Sequence, residues 1–165
     1  MRIIEALAME YEHETALTRK TIERVPEDKY DWKPHHKSMS ARSLASHLAA
    51  IQGWAKSVME GDGVDIGPGE KAFEGRDKAD ILGTFDTLVA DSLKLMKSGL
   101  SDEDLMKPWT LSMAGRKIFE MPRVQVLRAW VLNHQIHHRA QLTVYLRLLD
   151  VPVPSIYGPS ADEQR

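Results

Sequence analysis

Two histidines near the C-terminus, His134 and His138, are four residues apart, so on a helix their imidazoles stack one turn apart and reach a single ion from the same side. A third, His47, falls in a distant segment where a core-facing helix ordinarily carries leucine. One buried histidine is ordinarily explained by a hydrogen-bonded neighbour. Three inward ones without partners would cost on the order of several kcal/mol, whereas one divalent ion satisfies three nitrogens at once. The spacing therefore predicts a metal centre held by His47, His134 and His138. Imidazoles without cysteine or a clear carboxylate suit zinc first and nickel second, with copper and iron also compatible. Three protein ligands leave a position for water or substrate, as in catalytic sites, where a bound water or thiol loses its proton more readily. His137 lies well around the helix from its neighbours, His35 and His36 sit in a loop-like stretch and His13 in a charged one, so these four rank behind.

Helices must position the three rings. The last runs from Pro122, suited to a first turn, to about Leu149, with a core stripe of Leu127, Val131, His134, His138, Leu142, Tyr145 and Leu149. His47 belongs to a helix capped by Ser40 and stapled by Met39 against Leu44, running to about Glu60. A first helix covers Ile3 to Ile22. There Glu10, Tyr11 and Glu14 read first as a solvated face with an aromatic border, since exposed charge is the usual case. The other reading is a polar pocket in which Glu14 or Tyr11 assists proton transfer at the ion.

A third helix is expected from the Asp77 cap to Lys97, ended by Gly99, and SDEDLM at 101–106 carries a capping-box start. Residues 26–38 and 61–75 read as loops, and 107–120 as a loop or small hairpin around Ala114-Gly115. The proline-rich tail from Val151 should run irregularly over one end. The expectation is an all-α bundle forming one domain over residues 1–165, with no internal repeat.

With 165 residues and 42% hydrophobic content the chain can bury a core unaided. Its 22 basic and 24 acidic side chains leave a formal charge of -2, which argues against nucleic-acid or membrane partners. Cysteine is absent, so any thiol chemistry needs an external thiol. The N-terminal stretch lacks a cationic segment followed by an apolar one, which predicts a cytoplasmic protein. Trp130, Val144 and Leu148 make a second apolar strip on the last helix and point to a homodimer.

The segment NHQIHHRAQL, 133–142, resembles the signature of the DinB/YfiT-like superfamily, HxxxHR followed by xQL. The likeness continues through SLASHLAAIQGW at 43–54 and VPVPSIYGP at 151–159, nearly the whole chain. It implies a four-helix bundle of down-up-up-down connectivity, often a homodimer, with a metal on histidines matching His47, His134 and His138. Relatives include transferases and isomerases that use small cellular thiols. The leading expectation is thus a metal-dependent enzyme that activates a low-molecular-weight thiol, as an S-transferase, or water, as a hydrolase, toward a small-molecule electrophile. The alternative is a non-catalytic, dimeric interaction or stress-response protein whose metal fixes the fold.

Overall fold

A computed structural model describes residues 1–163. Local capping explains where its helices start. α1 (Ile3–Glu23) is followed by a 3-10 turn at Glu27–Lys29, and α2 (Ala41–Glu60) begins where the Ser40 hydroxyl accepts from the Ser43 N–H at 3.0 Å. Asp77 does the same for α3 (Lys78–Lys97), accepting from Asp80 N–H at 2.8 Å. The short α4 (Asp102–Met106) carries the expected capping box between Ser101 and Asp104.

The last helical stretch is not uniform. α5 (Arg123–Val126) passes into a π-helical segment, Leu127–Asn133, before α6 (His134–Leu148) resumes ordinary pitch. This wide turn was not expected, and it ends at a candidate ligand, where π turns often collect.

The all-α expectation is corrected by a three-stranded sheet, β1 (Gly63–Ile66), β2 (Pro108–Met113) and β3 (Arg116–Pro122), in the order β1-β2-β3. β2 and β3 form the hairpin, turning through Ala114 and Gly115, both at positive φ. β1 lies in the stretch 61–75 that the sequence marks as loop, because four residues give almost no periodic signal and its parallel partner lies far along the chain, Gly63 opposite Thr110. Glycine is required at that position: a Cβ on Gly63 would come within 2.5 Å of the Thr110 carbonyl oxygen.

The long helices pack pairwise, α1 on α3 and α6, α2 on α3 and α6. Their interior holds two apolar clusters. One gathers Ile4, Leu7 and Tyr11 with Val58, Met96, Trp109 and Leu127, and the other Ile22 and Val25 with Leu44, Ile51, Phe85 and Leu142. Between them every long helix contributes buried polar groups: Glu14 and Thr18, Gln52, Ser92, and Gln135 with Arg139. The tail folds back on the helices through Arg147–Asp162 and Arg24–Glu163 ion pairs; Gln164 and Arg165, part of the expected irregular tail, lie outside the described residues. No helix among the described residues is long and apolar enough to cross a membrane.

Candidate metal centre

α2 supplies His47 and α6 supplies His134 and His138, and the three half-buried imidazoles each offer one nitrogen within 4.8 Å of the others. His47 Nε2 and His134 Nε2 are 3.2 Å apart, and the ring centroids of His47 and His138 are 4.6 Å apart. Facing on two helices thus brings together the residues singled out by spacing.

The outer nitrogens decide which atoms are free. His134 Nδ1 lies 3.3 Å from the Trp130 carbonyl oxygen, and His138 Nδ1 lies 2.8 Å from Gln141 Oε1. Both neighbours are acceptors, so each Nδ1 carries the proton and each Nε2 keeps its lone pair. The π segment contributes here. The His134 backbone N–H bonds to the Val131 carbonyl, and the His134 imidazole lies against the Trp130 carbonyl.

Electrostatics favour neutral rings. Burial pushes His47 down to about 4, aided by the charges that His138 and His134 would carry. Burial likewise lowers His134, with His138 adding to the effect, and lowers His138, partly offset by its bond to Gln141. Neutral imidazoles, with Nε2 lone pairs free on His134 and His138, are the form that binds a divalent ion. Two hollows adjoin the centre: a cleft of about 490 Å³ beginning at His47, and a shallow groove of about 280 Å³ on the surface of the last helical stretch, lined by Ala129, Trp130, Asn133, His134 and His137.

Glu14 and Tyr11 do not form a solvated face; both are buried, which corrects that reading. Arg139, 2% exposed, donates to Glu14 Oε2 at 2.6 Å, to the Glu14 carbonyl at 2.9 Å and to the Tyr157 hydroxyl at 2.7 Å. Tyr157 in turn donates to Glu14 Oε2 at 2.8 Å. Tyr11 sits in the first apolar cluster, and burial pushes its hydroxyl well above the usual phenol range, so it holds its proton. Neither is hydrogen-bonded to the three histidines among the described residues.

Arg139, Gln135, Gln52, Tyr157 and Gln141 were not anticipated. Thr18 Oγ1 donates to Gln135 Oε1 at 3.1 Å, and the Gln52 amide group reaches Leu48 O at 3.0 Å, while Ser92 Oγ donates to Gln52 O at 3.1 Å. The available signal was Gln135, Arg139 and Leu142, a second i, i+4, i+7 row beside the histidine row.

The family model for the DinB family matches residues 5–165. The chain is similar to the Bacillus subtilis (strain 168) protein YjoA, with 27% identity over 133 residues, 79% of this chain and 80% of that protein. Among solved structures, a DinB-like protein from Bacillus cereus ATCC 10987 superposes with a TM-score of 0.70 at 19% identity, covering 93% of this chain and 97% of that one. The YjoA structure gives a TM-score of 0.68 at 20% identity over 94% and 99% of the two chains. Identities this low carry the fold alone. With the family match extending over almost every residue, from the first helix through both histidine-bearing helices to the tail, the chain belongs to the DinB family.

Proposed function

We propose that His47, His134 and His138 hold one divalent metal ion, zinc first and nickel second, as the centre of an enzyme acting on a small electrophile. The observation that supports this best is the cluster itself: three neutral imidazoles within 4.8 Å, two of them with Nδ1 already committed to an acceptor. When bound, the ion would supply Lewis acidity to a thiol or water in its open position. The chain's own part is to orient. Trp130 O and Gln141 Oε1 fix the tautomers of His134 and His138, and the adjoining hollows give organic molecules room beside them.

Because the chain has no cysteine, the thiol version of the reaction requires an external low-molecular-weight thiol. Glu14 is engaged with Arg139 and Tyr157, so in this reading it shapes the bundle and the proton is moved by solvent or substrate. We also infer the down-up-up-down helix order, since α1 and α6 run from the first apolar cluster to the second while α2 and α3 run the opposite way. Homodimerisation in the cytoplasm is part of the same reading, supported by Val144 and Leu148, which are 56% and 57% exposed on α6.

The deciding experiment is elemental mass spectrometry on the purified protein beside a His134→Ala/His138→Ala variant. One equivalent of metal in the native chain, lost in the variant, is expected, together with metal-dependent thiol transfer or hydrolysis in a substrate screen. Metal-free protein after repletion would remove the reading, and loss of folding together with the metal, in a protein without activity, would leave an ion that only fixes the fold.

A further inference from the structure

The sheet that interrupts the helical pattern gives the histidine centre a wall. Along β1 the alternate residues Val64 and Ile66 turn inward and are half-buried, while Gly63 and Asp65 face solvent. The inward pair bounds the cleft of about 490 Å³, which starts at His47 and follows one face of α2 through Ala50 and Trp54 to Ser57. Phe73, from the loop after β1, faces the same space.

Two close approaches hold this wall in place. Gly63 lets β1 lie against Thr110, where a Cβ would collide at 2.5 Å. At the far end of the loop the Gly75 N–H donates to the buried Ser46 hydroxyl at 3.0 Å, and a Cβ there would come within 2.3 Å of Ile81 Cγ1. A wall pinned at both ends makes a formed cleft, open along the exposed residues Glu70, Lys71 and Ala72. Its volume lies within the range of about 300–1,000 Å³ usual for small-molecule sites.

The lining states what fits. Aliphatic side chains and two aromatic rings, Trp54 and Phe73, line it, and its charged members, Glu70 and Lys71, are both exposed. The Glu70 carboxylate also accepts from the Gly67 N–H at 3.3 Å, within its own loop. His47 and Ser57 are the polar groups at its two ends, and the Ser57 hydroxyl already donates to the Gly53 carbonyl at 3.4 Å. Such a lining favours a flat apolar body and penalises a buried charge.

We infer that this cleft binds a small uncharged molecule with an aromatic ring system, seated on Trp54 with its polar end toward His47. The inference rests on the metal-centre reading only for what its polar end meets. The cleft thereby sets which electrophiles reach the centre.

The test is a fluorescence titration with N-phenyl-1-naphthylamine, a neutral two-ring probe, on metal-loaded and chelator-treated full-length protein, with metal content measured on the same samples. Ala50→Phe and, independently, Ala72→Phe fill the cleft, and Ala129→Phe in the shallow groove beside His134 is the control. One saturable equivalent is expected, weakened about tenfold or more by either filling substitution and unchanged by the control. Metal content and far-ultraviolet circular dichroism should stay native in all three. Equal binding in the native and both filled proteins overturns the proposal, as does non-saturable uptake. So does probe binding that disappears as light scattering shows copies associating, because the cleft is then covered by a second chain. Saturable, Ala50-sensitive binding in a protein that takes up no metal would leave the cleft standing and remove the metal reading alone.

Discussion

His134 and His138 each stand one residue before Gln135 and Arg139, yet the two pairs meet opposite surroundings on the two faces of α6. On the inner face Arg139 finds a carboxylate, a carbonyl and two hydroxyls, so a buried charge has compensation on several sides. On the other face three imidazoles meet mainly one another, and His134 and His138, with Nδ1 committed outward, turn Nε2 lone pairs toward His47. Around the Arg139 charge the arrangement is complete as it stands, although the neighbouring Gln135 Nε2 is buried without a partner among the described residues, whereas the second arrangement gains most from a cation. Low solvent exposure alone does not distinguish structure from function; the balance of donors and acceptors does.

The contrast breaks most visibly at Arg139. Arg139→Ala leaves the Glu14 carboxylate buried and unpaired and should cost about 3–5 kcal/mol in urea unfolding. Replacing both partners with apolar residues, Glu14→Leu/Arg139→Met, should recover most of that. If Arg139→Ala alone were neutral, the inner face would not be the structural half of the helix.

On the opposite face, Gln141→Leu should leave folding nearly unchanged but weaken metal affinity by about 10–100-fold, read by competition with a chromogenic chelator. Unaltered affinity would mean that the bond to His138 Nδ1 does not orient the ligand.

The pH dependence sharpens the difference further. The His47 imidazole titrates near 6.5 in the unfolded chain and at about 4 in the folded one, so protons favour unfolding in between. Its stabilising contribution is present above pH 6.5 and is lost as the pH falls toward 4; for a half-buried ring this amounts to on the order of 1–2 kcal/mol after solvent screening. Urea titrations of metal-free protein should show this loss, and His47→Gln should reduce it, the remainder coming from His134 and His138, which burial also lowers. The smallest effect is expected from Tyr157→Phe, which removes one bond on each side of the Glu14–Arg139 pair and should cost about 1 kcal/mol by thermal unfolding.

What the sequence made legible was local or periodic. Ser40, Asp77 and Ser101 announce helix starts because a cap is written within four residues, and the three histidines stand out because each replaces an apolar residue on a stripe. β1 was hidden because its partner strand is remote and its most informative residue, Gly63, acts only through the approach of Thr110. Glu14 was hidden for a related reason. A carboxylate on a helix looks solvated until its guanidinium is known, and that guanidinium, on Arg139, lies 125 residues away. The π segment likewise has no proline or glycine to betray it, since Leu127–Asn133 reads LRAWVLN.

The buried polar layer between the two apolar clusters also bears on alignment. A slip of α6 by one turn, about 5.4 Å, would carry Arg139 among aliphatic side chains and strand Glu14 without its cation. The same slip would draw His134 and His138 away from His47. Misaligned bundles are therefore rejected by the cost of the wrong neighbours before any ion arrives, and the ligands inherit a fixed axial setting from a charge pair they never touch.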